Sequence, residues 1–338
     1  MGRYAVVIGE ALVDLLESSR DGERVYREAV GGAPLNVAVG VARLGGSVEF
    51  VGSLGDDVLG GRIRAFLDGA GVSTRGCVPD GVATTIALTT FDGAEPDFHF
   101  YGQPPSYGRL RPADVDAEMV AGAAVLHCGS IALLCPDVLA AARTAWAVPG
   151  PRRTFDPNVR PRLLDDRDAF RAVVEEFAAT ADLVKLSAAD AEALYDLEPP
   201  AAATRLLAAG AGSVVVTLGA RGALLACGPD RVHVPAPAVR AVDATGAGDA
   251  AMAALIYGLL AAPAPVGDPL LAPDAVRGPL HAERVSFATA VAALACEKPG
   301  GATAMPTLDE VRDRYPASAG FVPGATGNLT GTAHDGGL

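Results

Sequence analysis

From Ala123 onward the chain alternates short apolar runs with stretches of helical spacing. Val125–His127, Arg153–Phe155, Leu183–Lys185 and Val214–Thr217 read as strands. Pro136–Ala147, Asp168–Ala179, Ala188–Tyr195 and Pro200–Ala209 read as the helices between and after them. Strands this uniformly apolar must be covered on both faces, and a helix after each strand is the crossover that parallel pairing needs. The fold class is therefore α/β, a central, mostly parallel sheet flanked by helices on both faces. Arg3–Gly9 supplies a buried first strand and Val48–Val51 another. Helices are expected over Pro34–Leu44, with Pro in its first turn and Gly45-Gly46 after it, and over Asp57–Asp68.

Two segments do not fit that frame. Glu10 to Val30 is polar around the turn Arg20-Asp21-Gly22, and Thr84 to Tyr101 alternates around Asp92-Gly93. Neither can lie in a core covered on both faces, so the two are expected to form a small separate sheet. Leu224–Cys227 and Val232–Val234 read as a hairpin. The stretch 261–279, rich in Pro, Ala and Gly, reads as a surface loop, and the low-complexity residues 316–338 as a disordered tail. Residues 1–315 are then one domain, with the small sheet drawn from about 10–32 and 84–108.

Composition excludes several classes. A formal charge of −13 with only 27 Lys and Arg gives no basic surface for nucleic acid. No uncharged run is long enough to cross a membrane, and Glu10 and Asp14 break the N-terminal apolar run, so no signal peptide is read there. Five cysteines without CxxC spacing fit reduced thiols and a cytoplasmic location. His127, beside Cys128, reads as a strand-end residue.

The chemistry is expected at Val242 to Leu260, VDATGAGDAAMAALIYGLL. A Gly-rich turn feeding a helix directs backbone N–H groups of Gly246, Ala247 and Gly248 at one point, at the positive end of the helix dipole. Asp249 in the first helical turn either caps the helix or takes a proton from a bound hydroxyl. Neither a G-x-x-x-x-G-K-[ST] loop nor a G-x-G-x-x-G turn after the first strand is present, which removes a P-loop and weakens a nicotinamide dehydrogenase.

GGAPLNVAVGVARLGGSVEFVGSLGDDVLGG, from Gly31 to Gly61, together with VDATGAGDA, resembles the two signature regions of the ribokinase-like (PfkB) family of carbohydrate kinases. The resemblance runs from about residue 4 to about residue 310 and is nearest to fructokinase-like members. It implies a ribokinase-like fold with the small sheet as a lid over the sugar, Asp249 as catalytic base and 246–248 as the anion hole. Asp14, Gly31, Gly32 and Asn36 match sugar-side positions; Leu35 stands where a small Ala is usual and is expected to reshape the pocket. Tyr101 lies in the lid stretch and is assigned to the substrate. Phe155 to Leu164, FDPNVRPRLL, resembles the family's DPNxR stretch and puts Arg160 toward substrate. KLSAAD places Lys185 and Ser187 on the nucleotide side and Asp190 at magnesium through water; Ser187 and Asp190 equally suit a capping box. Thr217, Gly219 and Gly222 are implied around ATP, and Asp243 and Thr245 around a monovalent cation such as potassium.

The resemblance implies an ATP- and magnesium-dependent sugar kinase, fructokinase-like, acting on a neutral ketose. A 2-keto-3-deoxygluconate kinase, a ribose or nucleoside kinase and a catalytically retired sugar- or nucleotide-binding regulator remain open. Gly102 takes the place of a lid Arg found in sugar-acid kinases, with Arg109 a substitute seven residues on. Open lid edges would allow two chains to pair as a homodimer.

Overall fold

A computed structural model describes residues 3–92, 95–261 and 279–320. The main sheet holds strands β1 (Tyr4–Ile8), β4 (Ser47–Gly55), β5 (Ser73–Asp80), β8 (Val125–Gly129), β9 (Arg152–Asp156), β10 (Leu183–Ser187), β11 (Ser213–Thr217), β12 (Ala223–Cys227) and β13 (Asp230–Val234). Their spatial order is β13-β12-β11-β10-β9-β8-β1-β4-β5. From β5 through β11 the pairing is parallel, and β12 and β13 close one edge antiparallel. The smaller sheet, β3-β2-β6-β7, is built from β2 (Leu12–Arg20), β3 (Glu23–Gly31), β6 (Ile86–Asp92) and β7 (Glu95–Tyr101).

Ten helices accompany the strands among the described residues: α1 (Ala33–Arg43), α2 (Val58–Gly69), α3 (Ala117–Gly122), α4 (Pro136–Ala147), α5 (Arg167–Ala178), α6 (Ala188–Tyr195), α7 (Pro199–Ala209), α8 (Ala247–Ala261), α9 (Pro279–Ala295) and α10 (Leu308–Arg314). Two hydrophobic cores sit on opposite faces of the sheet. One joins α1, α2, α8, α9 and α10 through residues such as Val39, Leu67, Leu255, Val291 and Val311. The other joins α3 to α7 around Trp146, Phe155 and Phe177, whose rings meet edge-on and stacked. Helix α8 is buried along almost its whole length, from Asp249 to Leu260, so the turn that begins it is fixed by the core.

Most expected elements appear within a residue or two. β5 was not anticipated, because STRGCVPD is polar and carries Gly76 and Pro79; as an edge strand it pairs only with β4, where a proline is tolerated. Residues 316–320, expected within the disordered tail, are described and their end packs against the core. Ser318 hydrogen-bonds Ser286 on α9 at 3.0 Å and Ala319 is buried in the core. The remainder of that tail and nearly all of the 261–279 loop lie outside the described residues.

The small sheet joins the large one through a polar hinge. Asp57 caps α2 by accepting from Gly60 N, and also accepts from Thr84 N at 2.8 Å and Thr84 Oγ1 at 2.6 Å. Next to it Thr85 and Ser106 exchange hydrogen bonds, while Ser53 Oγ, at the end of β4, donates to Ser106 O. Both crossings of the second lid hairpin are thereby fastened to one corner of the core. Asp57→Ala removes the cap and the Thr84 anchor together, and should lower the unfolding free energy by about 1–3 kcal/mol in urea titration.

Candidate active site

From β1 the chain proceeds to β4 and β5 on one side, then returns to β8 on the other and continues to β11. The strand order therefore reverses between β1 and β8, and in such sheets ligands bind in the crevice beyond the carboxyl ends at that reversal. A cavity lies there, lined by Ala33, Pro34, His127, Ser130, Asn158 and Asp249 among others. Gly32 admits α1 to the crevice: its φ is +116° and a Cβ would fall 2.4 Å from Glu10 O.

Asp249 sits in the first turn of α8, only 6 % exposed. Its Oδ2 accepts from Asn36 Nδ2 at 2.8 Å and its Oδ1 from Asn158 Nδ2 at 3.2 Å. Burial raises its pKa, and the Lys185 charge works against that rise. A desolvated carboxylate is the stronger base, which suits proton abstraction. First-turn N–H groups of α8 have no helical acceptor and face the crevice end of the helix. Ala247 N is an exception, since it donates to Ala244 O at 3.1 Å, so of the three N–H groups expected to form an anion hole this one is already engaged. Gly246 has φ +78°, and a Cβ there would lie 2.9 Å from Gly301 Cα.

Beneath this turn lies a buried ion pair. Lys185 Nζ stands 2.6 Å from Asp156 Oδ2, the two side chains 3 % and 4 % exposed. Lys185 also donates to Gly248 O at 3.3 Å. Burial opposes the ammonium charge, but Asp156, Asp190 and Asp249 outweigh it and hold the pKa above its usual value. Burial lifts Asp156 to about 6, against the pull of Lys185, so the pair is ionic at neutral pH. Lys185, expected on the nucleotide side, is enclosed between Asp156 and Gly248 and supports the first turn of α8 from below.

Across the crevice Asp14 projects from β2, pushed up to about 7 by burial and pulled down by Arg160. Gly31, its neighbour on β3, leaves it room: a Cβ would fall 2.0 Å from Asp14 Oδ2. Asp14 pairs with Ala87, and Ala87 with Phe100. With the two-residue alternation of a strand, Phe100 shares the face of Asp14 and Tyr101 takes the opposite one. Tyr101, assigned above to the substrate, is thus 56 % exposed on the outer face of the lid. Arg160 is exposed at the mouth and its charge acts on both Asp14 and Asp249.

The pfkB family carbohydrate kinase model matches residues 3–308. The chain belongs to this family. Fructokinase-1 of Oryza sativa subsp. japonica is 34% identical over 324 residues, covering 92% of this chain and 97% of that protein. The fructokinase of Xylella fastidiosa with bound ATP superposes with a TM-score of 0.83 at 31% identity, covering 93% and 98% of the two chains. A double-mutant fructokinase of Vibrio cholerae O395 with fructose, ADP and a potassium ion superposes at 0.80 with 28% identity, covering 92% and 97%.

Other positions of this carbohydrate kinase are less directly placed on substrate. Ser187 and Asp190 form a complete capping box for α6: Ser187 N and Oγ each donate to Asp190 Oδ2 at 2.7 Å, and Asp190 N donates to Ser187 Oγ. Asp190 Oδ1 also takes Val159 N. Thr217 ends β11 and Gly219, φ +60°, follows in open space. A Cβ on Gly222 would instead strike Val234 O at 2.0 Å, so the closing hairpin by itself requires glycine here. Asp243 brackets two loops, accepting from Thr245 N and Gly300 N at 2.8 Å each. Burial pushes Asp243 up, yet these donors hold it below its usual value. Leu35 is fully buried in the core and does not reshape the pocket; Ala33, Pro34 and Val37 line it.

Three residues emerge only in the structure. Glu10, fully enclosed, accepts from Ser130 Oγ at 2.7 Å, Ala33 N at 3.1 Å and Ala132 N at 3.3 Å, which joins β1, α1 and the turn after β8; burial raises it to about 7. His127 lines the cavity, with Nδ1 3.1 Å from Thr154 Oγ1 and burial driving its pKa down to about 3, so it is neutral. Asn158 is the third. For Glu10 the signal was a carboxylate directly after an apolar strand, and for Asn158 the DPN turn itself.

An ionised Asp14 is the stronger acceptor for a hydroxyl, so a sugar that donates to it would favour the ionised form. With a free pKa near 7, the sugar KM should rise by about ten- to thirtyfold from about pH 7.5 to about pH 5.5. The ATP KM should not follow, and Asp14→Asn should flatten the sugar profile at a weaker affinity.

Proposed function

We propose that the protein transfers the γ-phosphoryl group of ATP to a hydroxymethyl oxygen of a neutral ketose, fructose foremost. The observation that carries this reading is Asp249, a buried carboxylate at the N-terminus of α8, opposite Asp14 on the lid. Asp14 and Asn36 present an acceptor and an amide to sugar hydroxyls. Asp249 takes the proton of the attacking hydroxyl, its oxygen bonds to the γ-phosphorus, and ADP leaves with the bridging oxygen. N–H groups at the start of α8 hold the transferring oxyanions, and Arg160 faces them from the mouth. The similarity to fructokinases supports fructose as the acceptor.

Magnesium would neutralise charge on the ATP phosphates. Among the described residues no group of three or more His, Cys, Asp or Glu could hold a metal, and Asp190 already takes donors at both oxygens. These residues fit a metal carried in by the nucleotide, with Asp190 touching it through water. Asp243 and Thr245 are the candidates for a monovalent cation, in keeping with the potassium of the Vibrio cholerae relative. No helix among the described residues is long and apolar enough to cross a membrane. With five free cysteines, we place the enzyme in the cytoplasm. The outer lid face exposes Tyr26 and Tyr101, and β3 and β7 are open edges; we infer pairing of two lids in a homodimer.

Gly102 favours a neutral sugar over a sugar acid. Its φ is +102° and a Cβ would press on Thr85 Cα at 3.3 Å, so an arginine is strained there. Arg109 is tied to the hinge through its backbone N and Ser53 Oγ. The lid therefore offers a substrate carboxylate no arginine at 102.

Asp249→Asn keeps the shape and removes the base. Turnover should fall by about two to four orders of magnitude while ATP still binds in calorimetry; near-wild-type turnover would refute the assignment. Fructose should exceed 2-keto-3-deoxygluconate in kcat/KM by at least about tenfold, equivalent to about 1.4 kcal/mol. A side-by-side comparison at fixed ATP and magnesium decides this, and a preference for the sugar acid would reassign Arg160 to its carboxylate.

A further inference from the structure

Asn158 occupies a backbone conformation that few side chains adopt, with φ +38°. The usual reason for asparagine there is its tolerance of left-handed geometry, for which glycine would serve as well. Here both ends of the side-chain amide are also engaged. Its Nδ2 donates to Asp249 Oδ1 at 3.2 Å, and its Oδ1 accepts from Arg160 Nη1 at 2.6 Å. The backbone is fixed from below, since Asn158 N donates to Asp156 Oδ1 at 3.1 Å and Asp156 is held by Lys185.

We propose that Asn158 is a positioning residue that orients the catalytic carboxylate and ties it to Arg160. This rests on the reading of Asp249 as the base. One amide is needed because the two contacts have opposite polarity: the carboxylate requires a donor and the guanidinium an acceptor. An aspartate would satisfy Arg160 and repel Asp249; a glycine would keep the turn and the backbone acceptors of Arg160 at 158 and 159, but would leave Asp249 Oδ1 without this donor. With Asn36 on the other oxygen, the amide of Asn158 fixes the plane of the Asp249 carboxylate. The lone pair that must meet the substrate hydroxyl is thereby aimed before substrate arrives. When Arg160 engages substrate, the hydrogen bond through Asn158 transmits that engagement to the base. The charged groups around Asp249 are Lys185, Arg160, Asp190 and Asp156. Asn158 is uncharged, so its removal acts through the hydrogen bond alone.

The test uses Asn158→Gly and Asn158→Asp in the full chain, with thermal unfolding as a check on folding. Turnover is measured at saturating fructose and ATP over about pH 5.5 to 9. Saturating sugar keeps Asp14 ionised, so Asp14 does not set the acid limb of kcat, which then reports the coupled carboxylates around Asn158, Asp249 and Asp156. Asn158→Gly should lower kcat by about tenfold or more, with the ATP KM within about twofold. Asn158→Asp should move the acid limb of kcat upward by about one pH unit, because a like charge disfavours ionisation of its neighbour. If Asn158 serves only the turn, Asn158→Gly will keep wild-type kcat and pH profile, and the proposal is overturned. Asn158→Asp with an unmoved acid limb overturns it as well, even if the glycine variant fails to fold. Full turnover in Asp249→Asn would instead remove the base assignment and this inference with it.

Discussion

The site depends on one buried ion pair. Asp156 ends β9 and Lys185 lies in the adjacent strand β10, and between them they hold three segments distant in sequence. Lys185 reaches Gly248 O in the turn before the base, and Asp156 reaches Asn158 N in the turn that carries Arg160. Withdrawing two charges from water costs several kcal/mol per ion, so such a pair is weak evidence for stability by itself. A pair of well-packed leucines would fill the same volume. It would leave Gly248 O and Asn158 N without these partners, and the first turn of α8 and the turn after β9 would no longer be set against each other. The pair stabilises one geometry over its alternatives, which is the property a phosphoryl-transfer site needs.

The lid is attached by a different chemistry. Hydroxyls and one carboxylate, from Ser53, Thr84, Thr85, Ser106 and Asp57, fasten its second hairpin to the ends of β4 and α2. The first hairpin leaves the core through Glu10 and returns through Gly31-Gly32. These junctions combine hydrogen bonds with packed apolar side chains, since Ala11, Leu12 and Val13 beside the first and Tyr107 and Leu110 beside the second are buried in the two cores.

The alternation of apolar strands and helices was enough to read the sheet, and Asn36 from the first glycine-rich stretch meets Asp249 from the second. What escaped the sequence is pairwise information. Tyr101 and Phe100 differ by one position, and only the register through Ala87 and Asp14 shows which one turns inward. Leu35 and Asn36 are adjacent on α1, yet one faces the core and the other the base. Lys185 carried a usable signal that went unread. A lysine inside LVKLS, on a strand covered on both faces, must find a buried anion, and the Asp of DPN on the neighbouring strand was the available candidate. Ser187 and Asp190 carried two readings of equal weight, and the structure displays the capping box.

Arg160 takes on a meaning from this arrangement that its sequence context did not supply. Asp14 and Asp249 stand on opposite sides of a desolvated crevice, and burial raises both. An ionised carboxylate is the stronger acceptor both of a hydroxyl's hydrogen bond and of its proton. Lys185 lies below the floor and its charge favours ionisation of Asp249, whereas Asp14 has Arg160 as its named cationic influence. A single guanidinium at the mouth therefore lowers both carboxylates in the same direction. It is exposed, so water screens its effect, and at both carboxylates burial remains the larger influence.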